Sequence, residues 1–304
     1  MWFKQLTVYP LLSDTIPDTQ TINERLLYGA FAPCLGLDWF SEGFVPSTAF
    51  SKEMTFPVQD SLRITLQREE KVLPSAVINQ AVRQRVTDIR HSENRQVGRR
   101  ERSEIKEAVI DTMLPRAFSK LSHTHAIIDT RNCLLLIDTA SNKKAENFLG
   151  RLREAMQGFP AAQLTTTRPI KTLMTEWLLS GVCDGNFQLE SDSTMKDSGE
   201  SAAVIKAAKQ DLTAEEIANL ARHGKTVTQL GLCWQERISF ILTEDLSFKR
   251  IAFLDSIRQE AEEHGDNAEQ LLYASQLLMT VSLVEMIQEL VQLLGGRQID
   301  VHAA

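Results

Sequence analysis

A chain of 304 residues that is 43% apolar is long enough for two domains and can fill real cores, so it does not read as disordered or low-complexity. Its net charge is −7, and its four cysteines (Cys34, Cys133, Cys183, Cys233) stand far apart without a CxxC pair, against a zinc ribbon or a disulfide scaffold. The N-terminus lacks a basic secretory n-region, and the longest apolar stretch, Leu271 to Leu294, is interrupted by Gln276, Glu285, Gln288, Glu289 and Gln292. That stretch reads as a buried helix, and the whole points to a reducing, cytosolic compartment.

Residues 2–9 alternate like a strand, and Arg63 to Arg68 alternates again with Ile64 and Leu66 on one face. Pro74 opens a helix whose apolar stripe is Ile78, Val82, Val86 and Ile89. After a polar break, His91 to Gly98, Ser103 is placed to cap a second helix with Glu104 in its first turn and a stripe through Ile105, Ala108, Val109 and Met113. Pro115 ends it. Two such helices joined by a polar turn form an αα-hairpin that can project as a finger.

Strands follow at Ala126–Ile128 and Leu134–Ile137, and Ser141 caps a helix with Ala145, Phe148, Leu149, Leu152 and Met156 on one stripe. In the second half a short helix surrounds Glu176–Leu179, Phe187–Leu189 reads as a strand, and Thr213 with Glu216 forms a capping box. Strands at Thr226–Trp234, Arg237–Leu242 and Phe248–Phe253 precede the long final helix. The expected fold is α+β: two related halves with antiparallel sheets plus a projecting helical finger. The divisions are 1–72 and 118–165 for an N-terminal α+β region, 73–117 for the finger, and 166–304 for a C-terminal α+β region.

Charge is unevenly spread. Arg83 to Lys120 holds 10 Lys/Arg against 6 Asp/Glu, a local +4, which leaves −11 for the rest. Such a concentration is costly unless something uses its field, and a polyanion is the obvious user; the alternative is that these arginines solvate two helix faces. Two acidic stretches, Asp184–Glu200 and Asp255–Glu269, together sum to −9, so net acidity does not argue against a basic inner surface.

No reaction chemistry stands out. There is no GxxxxGK[ST] loop, no GxSxG elbow and no Cys/His signature. Asp129, Asp138, His123 and His125 surround one expected hairpin and could be drawn as a nuclease metal site, although Asp at strand ends commonly tidies turns. Phe118, after the helix-ending proline, is either a core ring or an anchor for a partner pocket. Lys206, Lys209 and Gln210 read as a solvated loop or as contacts to a partner chain or phosphate.

Five segments together resemble the RdgC family of recombination-associated proteins. They are Met1-Trp2-Phe3-Lys4-Gln5-Leu6 with Tyr9, Glu69–Ser75, Leu114–Ser119, Thr175-Glu176-Trp177 and Lys209–Thr213. The resemblance runs from Met1 to Gly296. It implies a ring-shaped homodimer encircling DNA, single- or double-stranded, without sequence preference and restraining RecA-type strand exchange. It further implies a cytoplasmic, nucleoid-associated protein with no cofactor and no catalytic residues, and dimer contacts at Phe118, Lys209 and Gln210. Ala207-Ala208 depart from the basic residue that family members often carry there.

Expected contributors to phosphate binding are Lys4, Arg63, Arg68, Lys71, Arg83, Arg90, Arg99, Arg100, Arg116, Lys120, Lys225, Lys249 and Arg250. The alternatives are a metal-dependent DNA-processing nuclease and a protein–protein adaptor of the recombination machinery.

Overall fold

The computed structural model describes residues 2–12, 16–197, 203–265 and 267–298; parts of both acidic stretches, at 198–200 and 266, lie outside them. In chain order the first half holds β1 (Thr7–Pro10), α1 (Thr19–Tyr28), β2 (Phe40–Val45), β3 (Thr55–Val58), β4 (Ser61–Val72), α2 (Ser75–Glu93), α3 (Arg99–Met113), β5 (Phe118–Asp129), β6 (Leu134–Ile137) and α4 (Asn142–Met156). The second holds α5 (Ile170–Ser180), β7 (Phe187–Asp197), β8 (Val204–Ala207), α6 (Glu215–Arg222), β9 (Lys225–Trp234), β10 (Ile238–Thr243), β11 (Phe248–Phe253), α7 (Asp255–Glu263) and α8 (Ala268–Leu293). The fold is mixed α+β, with eight α-helices and two antiparallel sheets among the described residues.

The first sheet runs β1-β6-β5-β4-β2, with β3 also paired to β4; the second runs β11-β10-β9-β7-β8. Leu6 and Phe248 exchange backbone hydrogen bonds at 2.9 and 2.8 Å, and Ile251 N donates to the Lys4 carbonyl at 2.9 Å. The two sheets therefore meet edge to edge, with residues 4–6 beside 248–251.

Period-two alternation explains the layers. Leu62, Ile64 and Leu66 of β4 join Ala126, Ile128, Leu135 and Ile137 in one core with α1 and α4. A second core unites Phe3, Leu6, Val8, Leu134 and Leu136 with the second sheet and with α5, α6 and α8. Helix α8 is long and apolar enough to cross a membrane, yet twelve of its residues, including Met279, Leu283, Met286, Ile287 and Leu290, are buried within the protein. At roughly 1.5–3 kcal/mol for each large apolar side chain removed from water, that burial holds it in place as a core helix.

The finger departs from expectation at its turn. Helix α3 starts at Arg99 with Gly98 at its N-cap, not at Ser103. Arg95 donates to both carboxylate oxygens of Glu101 at 2.7 and 2.6 Å, and Glu101 lies in the first turn, where an anion favours the helix N-terminus. None of the residues of α3 is buried. The expected capping box at α6 is also absent: Thr213 Oγ1 donates to Asp211 Oδ1 at 2.6 Å, and Ala214 is the N-cap. Residues 2–5 are not a strand, because the Lys4 and Gln5 N–H groups donate to Asp138 Oδ1 at 3.1 and 3.0 Å. Helices α1 and α7 and strands β2, β3 and β8 had no counterpart in the sequence reading, and β5 begins eight residues earlier than expected, at Phe118.

Candidate nucleic-acid interface

Two of the register breaks in the second sheet shape one of its faces. In β11, Arg250 and Ile251 together oppose Phe240, since Lys249 pairs with Ile241 and Ala252 with Ser239. Arg250 takes a φ of 52° there, a left-handed conformation unusual for a side chain of its size. In β7 the register with β9 breaks between Leu189 and Ser193. Gly231 of β9 permits this second bulge, because a Cβ at that position would lie 3.0 Å from the Asp192 carbonyl oxygen. Bulges bend a strand and re-aim its side chains.

Between the bulges lies a cleft of about 150 Å³ walled by Asp192, Ser193, Lys206, Gln229 and Arg250. A second cleft, of about 350 Å³, adjoins it through Gln229, Ile241 and Arg250 and adds Gln5, Ser141 and Lys249. Lys4 stands beside them through its backbone bond to Ile251. The Gln210 N–H donates to the Ser191 carbonyl at 3.1 Å, which places the exposed Lys209-Gln210 pair next to the same β7 bulge. Three segments distant in sequence thus bring Lys4, Lys206, Lys209, Lys249 and Arg250 to one region. Arg250 has the Asp192 carboxylate at 3.8 Å.

The other expected cations divide by what already holds them. Arg83, Arg90, Arg99, Arg100, Arg116 and Lys120 are exposed on the finger and at its root, with Arg100 paired to Glu104 at 3.2 Å. Arg68 is committed to Glu42 at 2.7 Å and stacks 3.9 Å over the Phe40 ring. Lys225 pairs with Asp197 at 3.3 Å, and Lys71 is half-buried on β4.

Arg63 is the correction. It is 1% exposed, and Nε, Nη1 and Nη2 all lack hydrogen-bond partners. The alternation of β4 places Arg63 opposite the Ile64 face, as expected. That side is nevertheless covered: Gln276 of α8 donates to Ser61 Oγ at 3.1 Å, and Phe3 N donates to Met279 Sδ at 3.1 Å, drawing the N-terminal segment over it. Burial lowers the Arg63 pKa to about 10, with Asp138 opposing that shift, so the guanidinium stays charged at neutrality. A phosphate cannot reach it.

The proposed metal ligands are likewise occupied elsewhere. Asp129 accepts from Asn132 N and Nδ2 at 2.9 and 2.8 Å, tidying the β5–β6 turn, and Asp138 holds the Lys4 and Gln5 amides. Burial raises the Asp138 pKa, and burial followed by the nearby charges of Arg63 and His123 pushes His125 down to about 3. Among the described residues no group of three or more His, Cys, Asp and Glu is arranged to hold a metal ion.

Phe118 opens β5 opposite Val72 and is 88% exposed, which rules out the core reading within a single chain. Val72 and Leu121 near it are also exposed, as are Trp39 and Phe40 on the neighbouring strand segment. Phe118 lies in the first sheet and Lys209-Gln210 beside the second, so one chain does not bring these three together. The sequence reading passed over Asp192, Ser193 and Gln229. Asp192 and Ser193 are adjacent in the chain, and Gln229 comes beside them by the pairing of β9 with β7, which leaves no local trace in a sequence.

The family described as "Putative exonuclease, RdgC" matches residues 1–297. A protein of Neisseria meningitidis named recombination-associated protein RdgC is 47% identical over 298 residues, covering 98% of this chain and all of that protein. Proteins of the same name from Laribacter hongkongensis and Salmonella paratyphi B are 42% and 38% identical, over 97% of this chain and 99% and 98% of their own lengths.

Proposed function

This chain belongs to the RdgC family, and we propose that it binds DNA, double- or single-stranded, through backbone phosphates without reading sequence. In this reading two copies close into a ring around the DNA and restrain RecA-type strand exchange during recombination. The observation that carries it is the convergence of Lys4, Lys206, Lys249 and Arg250 on two adjoining clefts of one sheet face. Cations displace condensed counterions from phosphates, which yields affinity indifferent to base sequence.

The ring finds support in apolar surface that a single chain leaves uncovered. Phe118 is almost fully exposed beside its strand partner Val72, and a groove of about 660 Å³ between α2 and α3 is lined by Ile89, Ile105, Ala108 and Val109. A second copy of the chain fits both features, with Phe118 as the anchoring ring. We read the protein as non-enzymatic, since Asp129 and Asp138 are engaged in turn and backbone contacts. The word exonuclease in the family description makes magnesium-dependent cleavage the second reading to test.

The deciding experiment is duplex binding by fluorescence anisotropy across a salt series, with two unrelated sequences. The expected result is a linear fall of log affinity with log salt, the same for both sequences. A salt-insensitive affinity, or a preference of more than about a hundredfold for one duplex, the scale of good base contacts, would refute the reading. Cleavage in a parallel magnesium reaction that disappears in Asp129→Ala or Asp138→Ala would replace it with the nuclease.

A further inference from the structure

We infer that the outer face of α8 is a docking groove for a basic amphipathic helix of a partner protein. The inference stands apart from the DNA-binding reading, because its ligand is a protein segment and its binding is measured without DNA.

A surface helix normally turns charged or polar residues to solvent. Along its middle α8 does not. Tyr273 and Val281 are 40% and 47% exposed, and Leu277 between them is half-buried. Each is four residues from the next, so the three form one line along the helix. A cleft opens toward each end of that line. One, of about 660 Å³, lies between α7 and the start of α8 and is lined by Glu260, Tyr273, Leu277 and Leu278. The other, of about 260 Å³, runs along Leu277, Val281 and Val284 beside the β3–β4 and β5–β6 turns. Leu277 lines both, so the clefts adjoin as one groove from Glu269 to Gln288. At the helical rise that span is about 28 Å, room for a partner helix of about five turns.

Charge names the occupant. Asp60, Glu269 and Glu285 stand in the walls, and none of the three forms an ion pair among the described residues. Glu260 adds a carboxylate that has only Arg237, at 4.0 Å. Asp129 is turned to Asn132, and Arg131 is the one Lys or Arg of either wall among the described residues. Such a rim repels phosphate and attracts ammonium and guanidinium groups, while the apolar floor takes side chains spaced at helical intervals. The finger of a second copy is also basic, but its apolar residues line the groove between α2 and α3.

The groove also lies apart from the basic clefts. Helix α8 packs on the core side of the second sheet through Met279, Leu283 and Ile287. The smaller basic cleft opens on the other side through Thr194, Gln229 and Ile241, which alternate with Met195, Leu230 and Leu242 of the core. One chain therefore has room for a polyanion on one face and a basic helix on the other.

The probe is a fluorescein-labelled synthetic peptide of about five helical turns, built from Leu, Lys and Arg in an amphipathic pattern. Its control is a scrambled peptide that keeps the charge and loses the stripe. Anisotropy should show the patterned peptide binding at least about tenfold more tightly than the scrambled one, and more weakly as salt rises. Val281→Glu should abolish that preference, as loss of a central apolar contact does. Asp60→Asn with Glu285→Gln should weaken the patterned peptide by about tenfold and flatten its salt dependence. Circular dichroism checks the fold of both variants.

Equal binding of the two peptides, or an undiminished preference in a folded Val281→Glu, overturns the groove. If Val281→Glu does not fold, the double variant decides: wild-type affinity for the patterned peptide overturns the inference, and the tenfold loss upholds it. A fall in sedimenting mass in folded Val281→Glu would make this face an interface between copies and overturn the partner helix.

Discussion

The finger and the second sheet's cleft carry positive charge in opposite ways. In the finger the charge is dense along the sequence, but part of it is spent locally: Arg95 is held by Glu93 and Glu101, and Arg100 by Glu104. Exposed pairs of this kind are screened by solvent and contribute little stability, yet they fix where the charge points. In the cleft no local run exists. Lys4, Lys206, Lys249 and Arg250 come from three separate segments and meet because residues 4–6, ahead of β1, pair with β11 and because β7 and β8 lie in the same sheet. Charge density in a sequence and charge density in space are different quantities, and phosphates respond to the second.

The comparison is broken most readily at the finger's root, where the largest effect is expected. If the finger side of the molecule serves mainly to close a dimer, Phe118→Ser should weaken association by about a hundredfold or more, the scale of an interfacial hot spot. Its fold should hardly notice, because replacing an exposed side chain changes stability by no more than roughly 0.5 kcal/mol. Sedimentation and circular dichroism on the same samples measure both. A large melting loss with unchanged association would return Phe118 to a structural role.

A smaller effect sharpens the comparison from the first sheet, which carries the finger. His125, with Thr65 Oγ1 3.0 Å from its Nδ1, has a pKa pushed from 6.5 down to about 3 in the folded protein. The unfolded chain therefore takes up a proton that the folded one refuses. The stability this residue contributes is complete above pH 6.5 and is lost as pH falls from there to about 3, at no more than about 1.4 kcal/mol per pH unit. Urea midpoints of the wild type and His125→Gln should draw together as pH falls through that window. Midpoints that keep a constant separation would show that His125 titrates normally.

The smallest effect is expected at Arg63. As a buried cation without hydrogen-bond partners it contributes nothing to phosphate binding, and an apolar side chain of similar length avoids its desolvation. Arg63→Met should bind duplex with wild-type affinity and melt no lower. A drop in affinity with an intact fold would put Arg63 back among the contacts.

Much of the fold was legible where one periodicity ruled. The stripes of α2, α4 and α8 and the strands β6, β9, β10 and β11 follow directly from apolar spacing. Phe118 to Thr124 is not legible as strand, because that part of β5 is polar or exposed on both faces and is ordered by pairing with β4. In the sequence, helix α7 is an acidic run, and only Ile257 and Ala261 on its buried side reveal a helix. Lys4, Lys249 and Arg250 were picked out as basic residues, but nothing local to them announced a shared cleft. Arg63 misled for the complementary reason: alternation gives the face of a residue and is silent about which distant segment covers that face.

The central claim is that DNA is held chiefly by the spatial cluster on the second sheet and less by the sequence-dense finger. It is tested most directly by removing equal charge from each. Lys4→Gln, Lys206→Gln, Lys249→Gln and Arg250→Gln combined in one protein should be compared with Arg83→Gln, Arg90→Gln, Arg99→Gln and Arg102→Gln in another, by anisotropy on one duplex in one buffer. The account predicts that the cleft variant loses more affinity and more of the salt slope than the finger variant. Equal losses, or a larger loss in the finger variant, would contradict it.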